Sequence, residues 1–159
     1  MTVPGTVYRS DSVTVLDTRE MRWERSGGLD GSSVKTLARL PGGEDEVTLL
    51  WRPPGPTQSL DHLPYRHYHR SVRECLLVLS DELPYVEYES PEQRLGEGTP
   101  ITLKAGYFVD RRPGSGGLHG LEPGMGSPVG ATILHWRTGP GNLIGDPGFA
   151  SESVEVPYP

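Results

Sequence analysis

Glycine and proline interrupt this chain too often for it to fold as helices. Of its 159 residues, 21 are Gly and 16 are Pro, and both types break helices. No stretch holds the 3.6-residue apolar period over the roughly 10–12 residues of a convincing amphipathic helix. Between the interruptions lie short apolar or β-branched runs. These predict strands at Ser12–Leu16, Val34–Leu40, Glu46–Arg52, Tyr65–His69, Glu74–Leu79, Tyr85–Glu89, Thr99–Leu103, Gly106–Arg111 and Gly130–Arg137. The segment Pro41-Gly42-Gly43-Glu44-Asp45 has the length of a hairpin turn. Pro53-Pro54-Gly55-Pro56 ends a strand, because proline supplies no ladder N–H. Short strands with turns every eight to twelve residues are the signature of an all-β sandwich or barrel. Runs such as Val47–Trp51 and Cys75–Leu79 supply its core.

Charge and cysteine content exclude several functions. The net charge is −6. Residues 1–80 carry ten basic and ten acidic side chains, whereas residues 81–159 carry five and eleven. No basic stripe exists to neutralise phosphates, so nucleic acid is not an expected partner. Cys75 is the single cysteine, which excludes a disulfide framework. No run approaches the roughly 20 apolar residues that span a bilayer, so no membrane is expected. The N-terminus lacks a charged start and an apolar run, and the expected location is cytoplasmic.

The histidines carry the chemistry. Three of the five, His62, His67 and His69, fall within eight residues. On a strand, alternate residues share a face, so His67 and His69 present two imidazoles side by side. Tyr65 shares that face, while Arg66, Tyr68 and Arg70 point away. Glu74 follows after a four-residue connection, short enough for its carboxylate to swing back beside the rings. Two nitrogens and one oxygen suit a divalent first-row metal. Further on, Gly106–Arg111 reads as a strand ending at Pro113-Gly114, and the Gly-rich turn Ser115-Gly116-Gly117-Leu118 delivers His119. Such a turn lets backbone approach closely and aims one side chain inward.

These residues carry a resemblance to the cupin superfamily. His67-Tyr68-His69-Arg70-Ser71-Val72-Arg73-Glu74 resembles its first motif, a His-x-His followed after a few residues by Glu. Gly98, Gly106 and His119 resemble the second. The stretch from Ala105 through Pro113-Gly114 to His119 is most similar to the ChrR-like branch. The resemblance covers residues 33–137. It departs from the usual pattern where Asp81 stands for the glycine that closes the first motif, where Lys104 stands for the proline of the second, and in the spacing before His119. It implies a small cupin-type β-barrel (a jelly roll, or double-stranded β-helix) with a metal in its mouth held by His67, His69, Glu74 and His119. Residues 1–30 would then be an N-terminal extension able to add strands to a neighbour, 31–138 the barrel, and 139–159 a turn-rich tail. A homodimer is the family's common state.

Tyr65 and His135 are the candidate catalytic residues. The Tyr65 phenol either donates a hydrogen bond to a substrate or fills the barrel. His135, in the last expected strand, is either structural or a contact to ligand or substrate. Alternation groups it with Ile133 and Arg137, or leaves Leu134 and Trp136 to line the barrel instead. His62 reads as a loop residue and Cys75 as a small core residue. Arg111 and Arg112 read as solvated, with binding of a carboxylate substrate by one of them as the alternative.

An open coordination position is what metal catalysis needs. The favoured expectation is an Fe(II) dioxygenase acting on a small organic acid or aromatic molecule. Mn(II), Ni(II), Co(II) or Zn(II) in the same site would instead support isomerase, lyase or decarboxylase chemistry. A non-catalytic metal- or ligand-sensing module is a third expectation, and fold does not choose among them. Metal binding should weaken as pH falls through about 6, because imidazole must be neutral to ligate.

Overall fold

The computed structural model describes residues 4–10, 13–25, 31–39, 45–56, 66–138 and 153–156. Among them the chain is almost wholly β: β1 (Thr6–Arg9), β2 (Thr14–Leu16), β3 (Glu24–Arg25), β4 (Ser33–Arg39), β5 (Asp45–Arg52), β6 (Gly55–Pro56) and β7 (Arg66–His69) come first. There follow β8 (Arg73–Glu87), β9 (Thr99–Lys104), β10 (Phe108–Arg111), a single 3₁₀ turn at Ser115–Gly117, β11 (His119–Gly120), β12 (Gly126–Ser127), β13 (Ala131–Thr138) and β14 (Ser153–Glu155). All pairings are antiparallel; the main sheet runs β14-β7-β11-β8-β13-β5-β4-β3, with β9 and β10 also on β8. No helix among the described residues is long and apolar enough to cross a membrane.

The strand β8 organises the barrel. The two strands expected at Glu74–Leu79 and Tyr85–Glu89 are one continuous element. Its first half pairs with β10 and β13, and its second half with β9 and β11. The bend between them falls at Asp81, a non-glycine residue with φ 64°, beside a register shift opposite Thr132 and Ile133. Asp is among the few side chains that tolerate left-handed backbone. Asp81 therefore makes the bend that the missing glycine was expected to make. Its carbonyl also accepts the Ala105 N–H at 3.1 Å, which ties the bend to the β9–β10 turn.

Alternation then sorts the side chains. On β13, Ala131, Ile133 and His135 are buried, so the set containing His135 lines the barrel. Leu76 and Val78 of β8 meet Ile133, Ala131, Leu83, Tyr85 and Leu103 in the core, with Leu50 and Val109 against them. A second cluster, Val86, Tyr88 and Leu118 with Tyr68, Met125 and Val156, packs behind β7. Arg66 is fully buried there and donates to the carbonyls of Val156, Gln93 and Pro91 at 2.9, 2.7 and 2.8 Å. The partner of β7 beyond β11 is β14, which lies in the stretch expected as a tail. Lys35 of β4 is buried against the N-terminal segment, its ammonium 2.7 Å from the Thr18 carbonyl and 4.5 Å from the Trp23 ring centroid.

The bend at Asp81 gives a test. Asp81→Gly should change unfolding free energy by less than about 1 kcal/mol, because relief of left-handed strain offsets the added backbone entropy. Asp81→Val should cost about 2 kcal/mol, since a β-branched residue is disfavoured at positive φ. Urea titrations of the two variants measure both; equal stability would remove strain from the account of the bend.

Candidate metal centre

Strand pairing builds the site. His67 and His69 lie two apart on β7 and share a face, as alternation requires. The short strand β11 inserts between β7 and the second half of β8, which sets His119 directly opposite His67. The ring centroids of His67 and His119 are 4.5 Å apart, those of His67 and His69 5.2 Å, and those of His69 and His119 5.8 Å. One nitrogen of each ring lies within 4.8 Å of one nitrogen of the other two. Zn–N and similar bonds run about 2.0–2.1 Å, so small ring rotations would close three donors on one cation.

Two glycines make His119 point inward. Gly114 has φ 98° and its N–H donates to the His69 carbonyl at 2.7 Å, which anchors the turn to β7. A Cβ on Gly117 would stand 2.9 Å from the Arg112 carbonyl oxygen, so only glycine fits. The Gly117 carbonyl accepts the His119 Nδ1–H at 2.7 Å. That bond fixes the tautomer and leaves Nε2 free to face the other imidazoles, as metal-ligating histidines require.

Glu74 lies beside the trio with both oxygens engaged. Its Oε2 accepts from Arg111 Nη1 at 2.7 Å and its Oε1 from His135 Nε2 at 3.0 Å. The same oxygens are 3.5 Å from His119 Nε2 and 3.7 Å from His69 Nε2. Arg137 Nη2 approaches Oε1 at 3.9 Å. Burial alone would raise the Glu74 carboxyl, but hydrogen bonds from His135 and His69, with the charges of Arg111 and His119, hold it well below the usual carboxylate range. It is therefore ionised at neutral pH.

The imidazoles are lowered as well, by burial first. Burial, then the neighbouring His69, lowers His67 to about 4. Burial, then Arg137, lowers His135 to about 4. Burial, then Arg111, takes His119 well below its ordinary value. The two candidate ligands with a resolved shift are thus neutral at pH 7, the state that ligates.

The structure brings together His67, His69 and His119, with Glu74 against them and His135 behind Glu74. His135 reaches the site only through that carboxylate. Tyr65 and His62 lie outside the described residues. Cys75 is buried on the opposite face of β8, its sulfur 3.7 Å from Asp110. Arg111 was expected in solvent, yet it is only 7% exposed and bonds Glu74 and Glu87. Alternation carries the signal for this: on β10, Phe108 and Asp110 are exposed, so Val109 and Arg111 turn inward. Arg112 is exposed.

No protein-family model matches the sequence and no curated protein is significantly similar to it. Solved structures are similar in fold. An ethanolamine utilization protein Q of Salmonella typhimurium shares 17% identity over 84% of this chain and 92% of its own, with a TM-score of 0.56. A sugar phosphate isomerase from the cupin superfamily of Silicibacter pomeroyi shares 20% identity, covering 78% of this chain and 74% of its own, at 0.55. An RmlC-like cupin protein of Ralstonia eutropha shares 15%, covering 82% and 74%, at 0.52. The fold is that of the small cupin β-barrels.

The buried imidazoles predict a pH dependence of stability. His67, His119 and His135 are neutral when folded, with pKa values depressed from about 6.5, so the unfolded chain binds more protons between roughly 6.5 and 4. That stability is fully present above about 6.5 and is lost as pH falls toward 4, at up to about 1.4 kcal/mol per pH unit for each ring. Metal-free protein should therefore lose stability in urea titrations from pH 7 to 5. It should change little from pH 7 to 8. A flat profile below pH 7 would mean that the rings are solvated.

Proposed function

We propose that this chain is a metal-dependent enzyme, an Fe(II) dioxygenase acting on a small organic acid or aromatic molecule, with its cation held by His67, His69 and His119. The observation that carries the reading is the convergence of three imidazole nitrogens within 4.8 Å of one another inside the barrel. Imidazoles suit Fe(II), Mn(II), Co(II), Ni(II) and Zn(II). Three protein ligands leave positions for small molecules, where Fe(II) supplies reaction with O₂ and any of these ions supplies Lewis acidity. Around it, the His119 ring is oriented by the Gly117 carbonyl. Glu74 stands ready to accept a proton, held by His135 and Arg111. The Gly-rich turn that delivers His119 supports the resemblance to the ChrR-like branch.

A second reading is non-oxidative isomerase or lyase chemistry. A buried, ionised carboxylate beside the trio favours it, since Glu74 can move a proton on a bound substrate without any change of metal oxidation state. The reading also takes the protein to be cytoplasmic and a homodimer. The outer sheet face supports the dimer: Leu79, Tyr107 and Phe108 are 47%, 50% and 55% exposed there, and Phe108 stacks on Trp136 at 5.6 Å. Phe108→Glu should shift the sedimentation coefficient from dimer to monomer; a wild-type monomer would end the dimer proposal.

Metal content and oxygen uptake test the main reading. His67→Ala, His69→Ala and His119→Ala should each cut metal affinity by more than the roughly 10–100-fold that outer partners of metal ligands command. His62→Ala should leave it unchanged. Iron in the untagged protein, with oxygen consumed only when a substrate acid or aromatic is added, supports the dioxygenase. Turnover without oxygen consumption selects the proton-transfer reading. Full metal occupancy in His119→Ala removes the proposed centre.

A further inference from the structure

Two carboxylates share one guanidinium beside the candidate metal centre. Arg111 Nη1 donates to Glu74 Oε2 at 2.7 Å, while its Nε and Nη2 donate to Glu87 Oε1 at 2.9 and 2.8 Å. The guanidinium carbon lies 4.7 Å from the Tyr85 ring centroid, and that ring backs its plane. The two carboxylates differ in access to solvent. The side chains of Arg111 and Glu74 are 7% and 8% exposed, whereas that of Glu87 is 31% exposed. Glu87 is the cross-strand neighbour of His119, and Arg111 that of Glu74. The Nε–Nη2 edge of Arg111 is therefore reached from solvent by way of Glu87, next to the strand that delivers His119.

The Glu87 contact falls short of the best that this edge can make. A guanidinium presents two parallel N–H groups that match the two oxygens of one carboxylate. Here both bonds end on a single oxygen of Glu87. A carboxylate on a small molecule is not tethered to β8 and can set one oxygen on each N–H. Such an exchange conserves charge. One carboxylate leaves as another arrives, so the buried guanidinium is never left uncompensated, and Glu87 regains hydration. The Glu74 bond uses Nη1 and is untouched by the exchange.

We propose that Arg111 anchors the carboxylate of an acidic substrate, and that Glu87 is an intramolecular placeholder on that anchor, displaced when the acid binds. The inference rests on the reading above for the cation beside it and deepens that reading: it selects a small organic acid over a neutral aromatic molecule. It also fixes a sign. Glu87 competes with the substrate, so removing its charge strengthens binding of acids.

Calorimetric titration of acetate and benzoate into the metal-free full chain tests it, because without a cation a carboxylate has only protein groups to bind. Both acids should bind saturably, and acetamide and benzamide more weakly. Glu87→Gln should tighten both acids by about tenfold, since a neutral partner holds the guanidinium less firmly and the competent state becomes more populated. The amides should not change. Arg111→Met should abolish the preference for acids over amides, and Arg111→Lys should restore part of it, keeping the charge without the planar fork. If Arg111→Met does not fold, Arg111→Gln carries the same expectation. Acids that bind Glu87→Gln no more tightly than wild type overturn the proposal, as do a preference for acids that survives loss of the Arg111 charge and an absence of saturable acid binding. Co(II) titration is the separate readout. A chain that prefers acids through Arg111 but binds no Co(II) overturns the metal reading and leaves the anchor standing; one that binds Co(II) through His67 but no acid overturns the anchor alone.

Discussion

A buried carboxylate has to be compensated, and most of this site follows from how that is done. Glu74 is buried beside three imidazoles. Desolvation would neutralise it by raising its pKa, and neutrality would remove both its proton affinity and its hold on neighbouring groups. The barrel instead supplies Arg111 and His135 at 2.7 and 3.0 Å. Two downward shifts with opposite effects on charge result: the carboxyl is pushed down and stays ionised, and the His67 and His119 imidazoles are pushed down and stay neutral. An ionised acid next to neutral bases is the protonation state in which imidazoles ligate and a carboxylate can accept a proton.

That compensation depends on β8 serving both walls of the barrel. Glu74 is at its start and Glu87 at its end. A straight strand of this length would carry them far apart, at about 3.3 Å per residue. The bend at Asp81 folds the strand so that both ends come within reach of Arg111. The same bend gives β11 its place between β7 and β8, and β11 brings His119 to His67. Ligand geometry and charge compensation thus share one structural cause, a left-handed residue far from either.

Alternation made part of this legible beforehand. His67 and His69 on one face need only period 2, and the Gly-rich turn before His119 signals a backbone that must come close. The β class follows from the punctuation by Gly and Pro. Three things were not legible. The continuity of β8 was hidden because Asp81 and Pro84 read as a break, while strand pairing on both sides carries the chain through them. Strands of two to four residues, such as β1, β3, β11 and β14, have too little pattern of their own and exist because a partner edge receives them. Arg111 was read as solvated because a charge defaults to solvent; its burial depends on two carboxylates from distant stretches, which no local pattern reveals. The Asp81 departure from the usual motif carried information that only backbone geometry disclosed.

The division of labour inside the barrel separates what the fold provides from what this chain adds. Similar folds at 17% and 20% identity occur in proteins described in quite different terms, so the barrel itself does not choose a reaction. In this chain the three imidazoles come from two neighbouring strands and are oriented by backbone, through register and through the Gly117 carbonyl. The groups that face them come from β8, β10 and β13 and are oriented by charge. Backbone-set ligands are hard to displace by single substitutions, whereas charge-set neighbours can be retuned one residue at a time. A change at position 111 or 135 would alter what the carboxylate does while leaving the three rings in register. The guanidinium and imidazole around Glu74 set its charge and orientation, while the three rings are set by strand register.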